Sequence, residues 1–223
     1  METKQKEIRE LSKKHPKLET LMYRVNKDSL KQVHTAQMQK KASGIDGVTK
    51  QDYEKNLDEN LEELIKRMKT FSYRPQPVRR TYIPKGNGKM RPLGIPAYED
   101  RLVQGVMANI LNEVYEPRFL DCSYGFRPGR SAHDAIRDIN QTLMCRRVNY
   151  ILDCDIKGFF DNVNHEWLMK FLEHDIADKN FLRYVKRFLK AGIMEKGVYS
   201  ESSVGTPQGG QISPVLANVY LHY

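Results

Sequence analysis

Apolar residues recur at helical spacing along much of this chain, and short alternating runs interrupt them. Leu18, Leu21, Met22 and Val25 fit one stripe within a polar, lysine-rich first forty residues. With Pro16 among the charges, that region reads as an arm docking through a narrow apolar face. Leu57, Leu61, Leu64, Ile65 and Met68 predict an amphipathic helix, which "SYRPQP" ends because proline cannot continue the hydrogen-bond ladder. Val78 to Pro96 predicts a β-hairpin turning at Gly86-Asn87-Gly88. Leu102, Val106, Ile110 and Val114 predict a helix over 101–114. Ser131, with Asp134 three residues on, predicts a capped helix whose stripe is Ala132, Ile136, Ile139 and Leu143. Tyr150 to Ile156 reads as a strand, and Asn164 caps the next helix. Phe181 to Leu189 is a further helix, 197–210 a strand or hairpin followed by a loop, and Ile212 opens a last helix. The irregular alternation predicts an α+β fold.

Charge sharpens this picture. Lysines and arginines outnumber acids to a net +9, which points to a polyanionic partner, nucleic acid first. The runner-up is a merely basic protein with solvated helix faces. The three cysteines lack metal-ligand or disulfide-framework spacing, which suits a reducing, cytoplasmic setting. No stretch reaches the ~20 apolar residues of a membrane span, so no membrane partner is expected.

Four stretches carry candidate chemistry. In "YILDCDIKGFFDNVNH", Ile151, Asp153 and Asp155 share one face of the predicted strand. Carboxylates at a strand end suit Mg²⁺, which takes one or two of them plus substrate phosphates; the alternative is a turn with solvated aspartates. Lys85 and Arg91 straddle the hairpin turn, where they could grip a triphosphate or simply form a solvated tip. "GTPQGGQISPVLAN" is a glycine-rich loop feeding a helix N-terminus, with Gln208 able to bond a sugar or base edge. In "YGFRPGRSAHDAI", Arg127 and Arg130 beside Tyr124 and Phe126 suit a phosphate backbone with stacked bases; the alternative is a structural corner with Phe126 in the core.

In order, "ASGIDGVT", "YIPKGNGKMRPLGIP", "YGFRPGRSAHDAI", "DIKGFFDNVNH" and "GTPQGGQISPVLAN" resemble the reverse transcriptase domain of group II intron-encoded proteins, the maturases, from about Lys41 onward. The resemblance implies a right-handed polymerase fold fragment: helical fingers with a β-hairpin, plus a partial palm sheet. It divides the chain into a basic N-terminal extension at 1–40, fingers at 41–104 and 164–203, and partial palm at 105–163 and 204–223. It implies that Asp155 and the carbonyl of Ile156 bind catalytic Mg²⁺, and that Phe160 gates against a ribose 2′-OH, with Phe159 the fallback. Lys85 and Arg91 would hold the dNTP triphosphate, Gln208 and Gly209 would contact nucleotide and template base, and the loop 44–49 would lie along template and primer. Asp153 receives no role.

The implied partners are group II intron RNA, an RNA template with DNA primer, and dNTP; a homodimer is compatible with the sequence. The RNA surface would comprise Lys13, Lys14, Lys17, Arg24, Lys27, Lys31, Lys40, Lys41, Arg79, Arg80, Arg127 and Arg130. The family's Tyr-X-Asp-Asp motif is not reached before Tyr223, so the chain reads as a fragment that binds RNA without polymerising. Two other readings share these motifs: a CRISPR- or defence-linked reverse transcriptase, and a nonenzymatic RNA-binding splicing cofactor.

Overall fold

A computed structural model of the protein describes residues 2–84, 86, 88–206 and 209–223, with side chains from residue 7 onward. Lys85 and Gln208 therefore lie outside the described residues.

The chain opens with α1 (Glu2–Lys14), then a 3-10 turn at Met22–Arg24 and α2 (Lys27–Ala36). The helical stripe expected at Leu18 to Val25 is not one helix. Leu18 instead forms a parallel bridge with Ile176, its N–H bonding the Asp175 carbonyl at 2.8 Å while Ala177 N–H bonds back at 2.7 Å. Those tertiary bonds replace helical ones, yet Leu18, Leu21 and Val25 are all buried, so the arm docks on these side chains. Local capping is strong elsewhere. Asn26 and Ser29 form a capping box on α2, and Thr49 and Asp52 one on α3 (Lys50–Glu54). The amphipathic helix α4 (Leu57–Lys69) buries Leu61, Leu64 and Met68.

The predicted hairpin forms as β1 (Val78–Pro84) and β2 (Met90–Ile95), antiparallel with Arg79 opposite Ile95 and Ile83 opposite Arg91. It leads into α5 (Tyr98–Tyr115), which is buried around most of its circumference and packs against α1 and α2. Three of the polar side chains α5 carries inward are matched. Asp100 accepts from the Tyr73 hydroxyl and from Gln76 N–H at 2.8 Å. Arg101 donates to the Ala42 and Pro96 carbonyls, and Gln104 accepts from Gln211 N–H at 3.0 Å.

Next come α6 (Ala132–Cys145), with its Ser131–Asp134 capping box, and the short α7 (Phe159–Asn162). Asn164 and Asp178 then cap α8 (His165–Asp175) and α9 (Lys179–Leu189) through their side chains. The strands β3 (Ile193–Glu195) and β4 (Val198–Ser200) follow, then α10 (Ser213–His222). β3 pairs parallel with β1, giving a four-stranded sheet in the order β2-β1-β3-β4. The architecture is α+β, as the pattern predicts.

Two expectations fail together. The strand at Tyr150–Ile156 does not form, and the α6 stripe does not face a core. Tyr150 is 94% exposed and Leu152 88%, while Ile136, Ile139 and Leu143 are exposed on α6. A strand needs a neighbour to complete its ladder, and none among the described residues pairs with 150–156.

Two measurements check this packing. Leu111→Ala, inside α5, should cost about 2–5 kcal/mol in urea unfolding, whereas Ile139→Lys on α6 should stay within about 0.5 kcal/mol. Burial raises the Asp100 carboxyl to about 7 against the opposing hydrogen bonds of Tyr73 and Gln76. The folded form thus keeps a proton that the unfolded form releases near pH 4. Stability from this group is therefore full below about pH 4 and declines until about pH 7, by at most about 1.4 kcal/mol per pH unit. Asp100→Asn, with no proton to exchange, should flatten that slope.

Candidate functional site

The turn carrying α7 begins at Gly158, whose φ of 61° is the left-handed conformation glycine accepts without strain. The Asn162 side-chain amide donates to the Gly158 carbonyl at 2.9 Å and closes the turn. The two phenylalanines then point to different places. Phe159 packs against the core and meets the Tyr220 ring at 6.1 Å. Phe160 is half-buried, lines a cavity and meets the exposed Phe126 edge-on at 6.1 Å. Phe126 is thus neither in the core nor isolated; its φ of 56° is rare for a side chain of that size.

The cavity holds about 300 Å³ between the sheet, α7 and the loop before α10. Arg80 and Pro92 come from the hairpin, Phe160 and Asp161 from α7, and Gly205 and Thr206 from the loop. Two buried polar atoms of this lining lack a hydrogen-bond partner, Arg80 Nε and Thr206 Oγ1. Since buried polar groups are ordinarily satisfied, the cavity offers a donor and a hydroxyl to a polar occupant.

The loop is fastened at both ends. Gly205 N–H bonds the Val163 carbonyl at 2.8 Å and Thr206 N–H bonds the Phe160 carbonyl at 2.7 Å. At the other end Gly209 lies against β2. A Cβ there would fall 2.4 Å from the Gly94 carbonyl oxygen, and its φ is +111°. Two glycines of this loop thus bring backbone close to other elements, Gly205 to α7 and Gly209 to β2. Asn218 on α10 adds a bond to the Gly125 carbonyl at 2.8 Å, drawing in the "YGFRPG" loop.

The "ASGIDGVT" loop is held similarly. Arg79 donates twice to the Ser43 carbonyl, at 3.1 and 2.6 Å, and Arg101 holds the Ala42 carbonyl. A Cβ on Gly44 would fall 2.5 Å from Ala97 Cα, so the loop is pressed onto the start of α5.

The remaining predicted residues are scattered. Asp155 and Arg91 are exposed and outside the cavity lining, and Ile156 is 58% exposed. Mg²⁺ fits poorly on the described residues alone, which contain no group of three or more His, Cys, Asp or Glu able to hold a metal. Two-metal chemistry needs carboxylates from more than one element, so no step is drawn through a metal here.

Among the cations expected to face RNA, Arg127 is a correction. It is buried, forked onto Glu116 at 2.9 and 3.2 Å, and bonded to the Leu120 and Ser123 carbonyls. Its guanidinium braces the loop and is not presented to solvent. Arg79 is likewise committed to Ser43. Arg130 pairs with Asp121 and stacks over Tyr124. Lys13 pairs with Glu10, Arg24 with Glu7, and Lys27 and Lys31 with Asp58. Lys41 bonds Gln37 at 3.2 Å, while Lys14, Lys17 and Lys40 are exposed. Exposed ion pairs are worth little and can be exchanged for phosphate, whereas the buried Arg127 fork cannot.

Gly209→Ala should destabilise by about 2–4 kcal/mol in chemical unfolding, because strain and collision combine. Gly47→Ala, at a φ of 70° but with open space around it, should cost about 1 kcal/mol.

Residues 83–223 match the family described as reverse transcriptase (RNA-dependent DNA polymerase). The group II intron-encoded protein LtrA of Lactococcus lactis subsp. cremoris is 45% identical over 166 residues, covering 74% of this chain and 27% of LtrA. Protein YkfC of Escherichia coli K12 is 42% identical over 182 residues, covering 80% of this chain and 48% of YkfC. The chain thus spans about a quarter to a half of these relatives' length. A chain of a partial Cas6-RT-Cas1–Cas2 complex superposes with a TM-score of 0.57 at 22% identity, over 89% of this chain and 33% of that one. That likeness shows the shared fold alone. The chain belongs to the reverse transcriptase (RNA-dependent DNA polymerase) family and is similar to its group II intron-encoded members.

Proposed function

We propose that this chain is the fingers and part of the palm of an RNA-directed DNA polymerase that also promotes splicing and mobility of a group II intron. The observation that carries the reading is the convergence of the hairpin, Phe160, Gly205 and Thr206 around one polar-lined cavity. A template-directed polymerase needs such a junction, since the nucleotide must touch fingers and palm at once. In this reading 41–104 and 164–203 are fingers, and 105–163 with 204–223 are palm. Phe160, not Phe159, limits the sugar that enters, because its ring is the one at the cavity. Lys85 and Arg91 hold the triphosphate at the hairpin end, and Gln208 with Gly209 meets nucleotide and template. Asp155 and the Ile156 carbonyl contribute to a Mg²⁺ site that further carboxylates complete, so the chain alone binds RNA and does not polymerise.

The N-terminal cations supply the RNA surface, with Lys14, Lys17 and Lys40 reaching phosphate directly and Lys13, Lys27 and Lys31 by exchange from their acidic partners. No helix among the described residues is long and apolar enough to cross a membrane.

In filter binding, the affinity for group II intron RNA should fall about a thousandfold between 50 and 200 mM salt if six phosphates are engaged. No affinity at low salt would refute the RNA reading. In the full-length protein, primer extension on an RNA template with Mg²⁺ and dNTP should be lost on Asp155→Ala. Extension by the 223-residue chain itself, abolished by the same substitution, would overturn the assignment of inactivity.

A further inference from the structure

His165 opens α8, just after the turn that carries Phe160, and is only 9% exposed. Its Nε2 lies 2.6 Å from the carbonyl oxygen of Gly205, forty residues away. A carbonyl can only accept, so Nε2 carries the hydrogen. The other ring nitrogen, Nδ1, is buried without a partner. A proton there would find no acceptor among the described residues, so of the two tautomers the geometry selects the Nε2–H form.

The acceptor stands at a particular place. Gly205 has a φ of +80°, and a Cβ on it would fall 2.8 Å from the Asp161 carbonyl oxygen and 2.9 Å from that of Phe160. Its N–H bonds Val163, and the next N–H bonds Phe160. The loop strand is therefore laid on the backbone of the Phe160 turn by two amide bonds, both drawn from loop N–H groups. His165 supplies the return contact, from a side chain of α8 to the loop carbonyl.

We propose that His165 is a positioning residue that fixes Gly205 and Thr206 relative to Phe160, and thereby sets how tightly the cavity discriminates among nucleotide sugars. The sugar readout rests on the polymerase reading above; the clasp does not. Without the bond, the Gly205 carbonyl loses its donor and the loop is free to shift away from the Phe160 turn. The nucleotide then meets a looser wall, which weakens its binding and its selection more than the chemical step.

The test uses the full-length protein with His165→Ala and His165→Gln, a glutamine amide donating from nearly the position of Nε2. His165→Ala should raise the KM for dNTP and lower the preference for dNTP over rNTP by about three- to tenfold each, the worth of one hydrogen bond, with a smaller change in kcat. His165→Gln should restore most of both. Unchanged KM and preference in His165→Ala, or equal losses in His165→Gln, would overturn the proposal. A second measurement is independent of activity: in the 223-residue chain, the nitrogen spectrum of the uncharged His165 ring should show Nε2 protonated and Nδ1 bare. The opposite tautomer would overturn the clasp. A wild-type protein that extends no primer would sink the polymerase reading while the nitrogen spectrum still decides the clasp.

Discussion

The burial of α5 constrains the rest of this structure. A helix buried on almost every side must bring its polar residues inside with it, and each then needs a partner. Asp100, Arg101 and Gln104 find theirs in three different segments: the approach to β1 through Tyr73 and Gln76, the loop at Ala42, and the loop at Gln211. One helix thereby ties the hairpin, the "ASGIDGVT" loop and the glycine-rich loop to a common frame. Gly105 shows how close that frame is, since a Cβ on it would fall 2.5 Å from Gln211 Oε1.

On this frame the candidate site is made mostly of backbone. Gly205, Gly209 and Gly44 each lie where an added Cβ would strike another main chain. Such contacts leave little play, because backbone does not move aside as a long side chain does. The cavity is consequently preformed, with Arg80 Nε and Thr206 Oγ1 already desolvated and unpartnered. Preorganised polar groups of this kind favour an occupant over water. The arginines divide accordingly. Arg79, Arg101 and Arg127 hold carbonyls and Glu116, while Lys13, Lys27 and Lys31 sit in loose surface pairs and Lys14, Lys17 and Lys40 are exposed. Only the second group can be spent on a polyanion without dismantling the fold.

Much of the fold was legible in local pattern. The α4 stripe, the hairpin about Gly86 to Gly88, and the caps at Ser131 and Asn164 all depend on neighbours within a few residues, which sequence displays directly. The Leu18 to Val25 stripe was read correctly as a docking face and wrongly as a helix, because its backbone partners lie at 175–178. Tyr150 to Ile156 has strand composition and no partner among the described residues, and composition cannot supply one. In the site, Phe160 and the glycines were marked by motif. His165 and Thr206 lay within those motifs but drew no role, because a histidine at a helix start and a threonine in a loop are ordinary by themselves, while Phe126 was read as a stacking residue with a core position as the alternative.

The sequence by itself determined where helices start and stop, the hairpin, the family to which residues 83–223 belong, and the excess of positive charge. These follow from short-range sterics, capping and composition, or from motifs kept in order. Tertiary structure alone decided which arginines remain for a ligand, which of two adjacent phenylalanines faces the cavity, and which carbonyl His165 holds. Each of those depends on a contact between segments tens of residues apart. Such a contact is decided by what α5 and the glycine-rich loop bring within reach, and no local pattern encodes that distance.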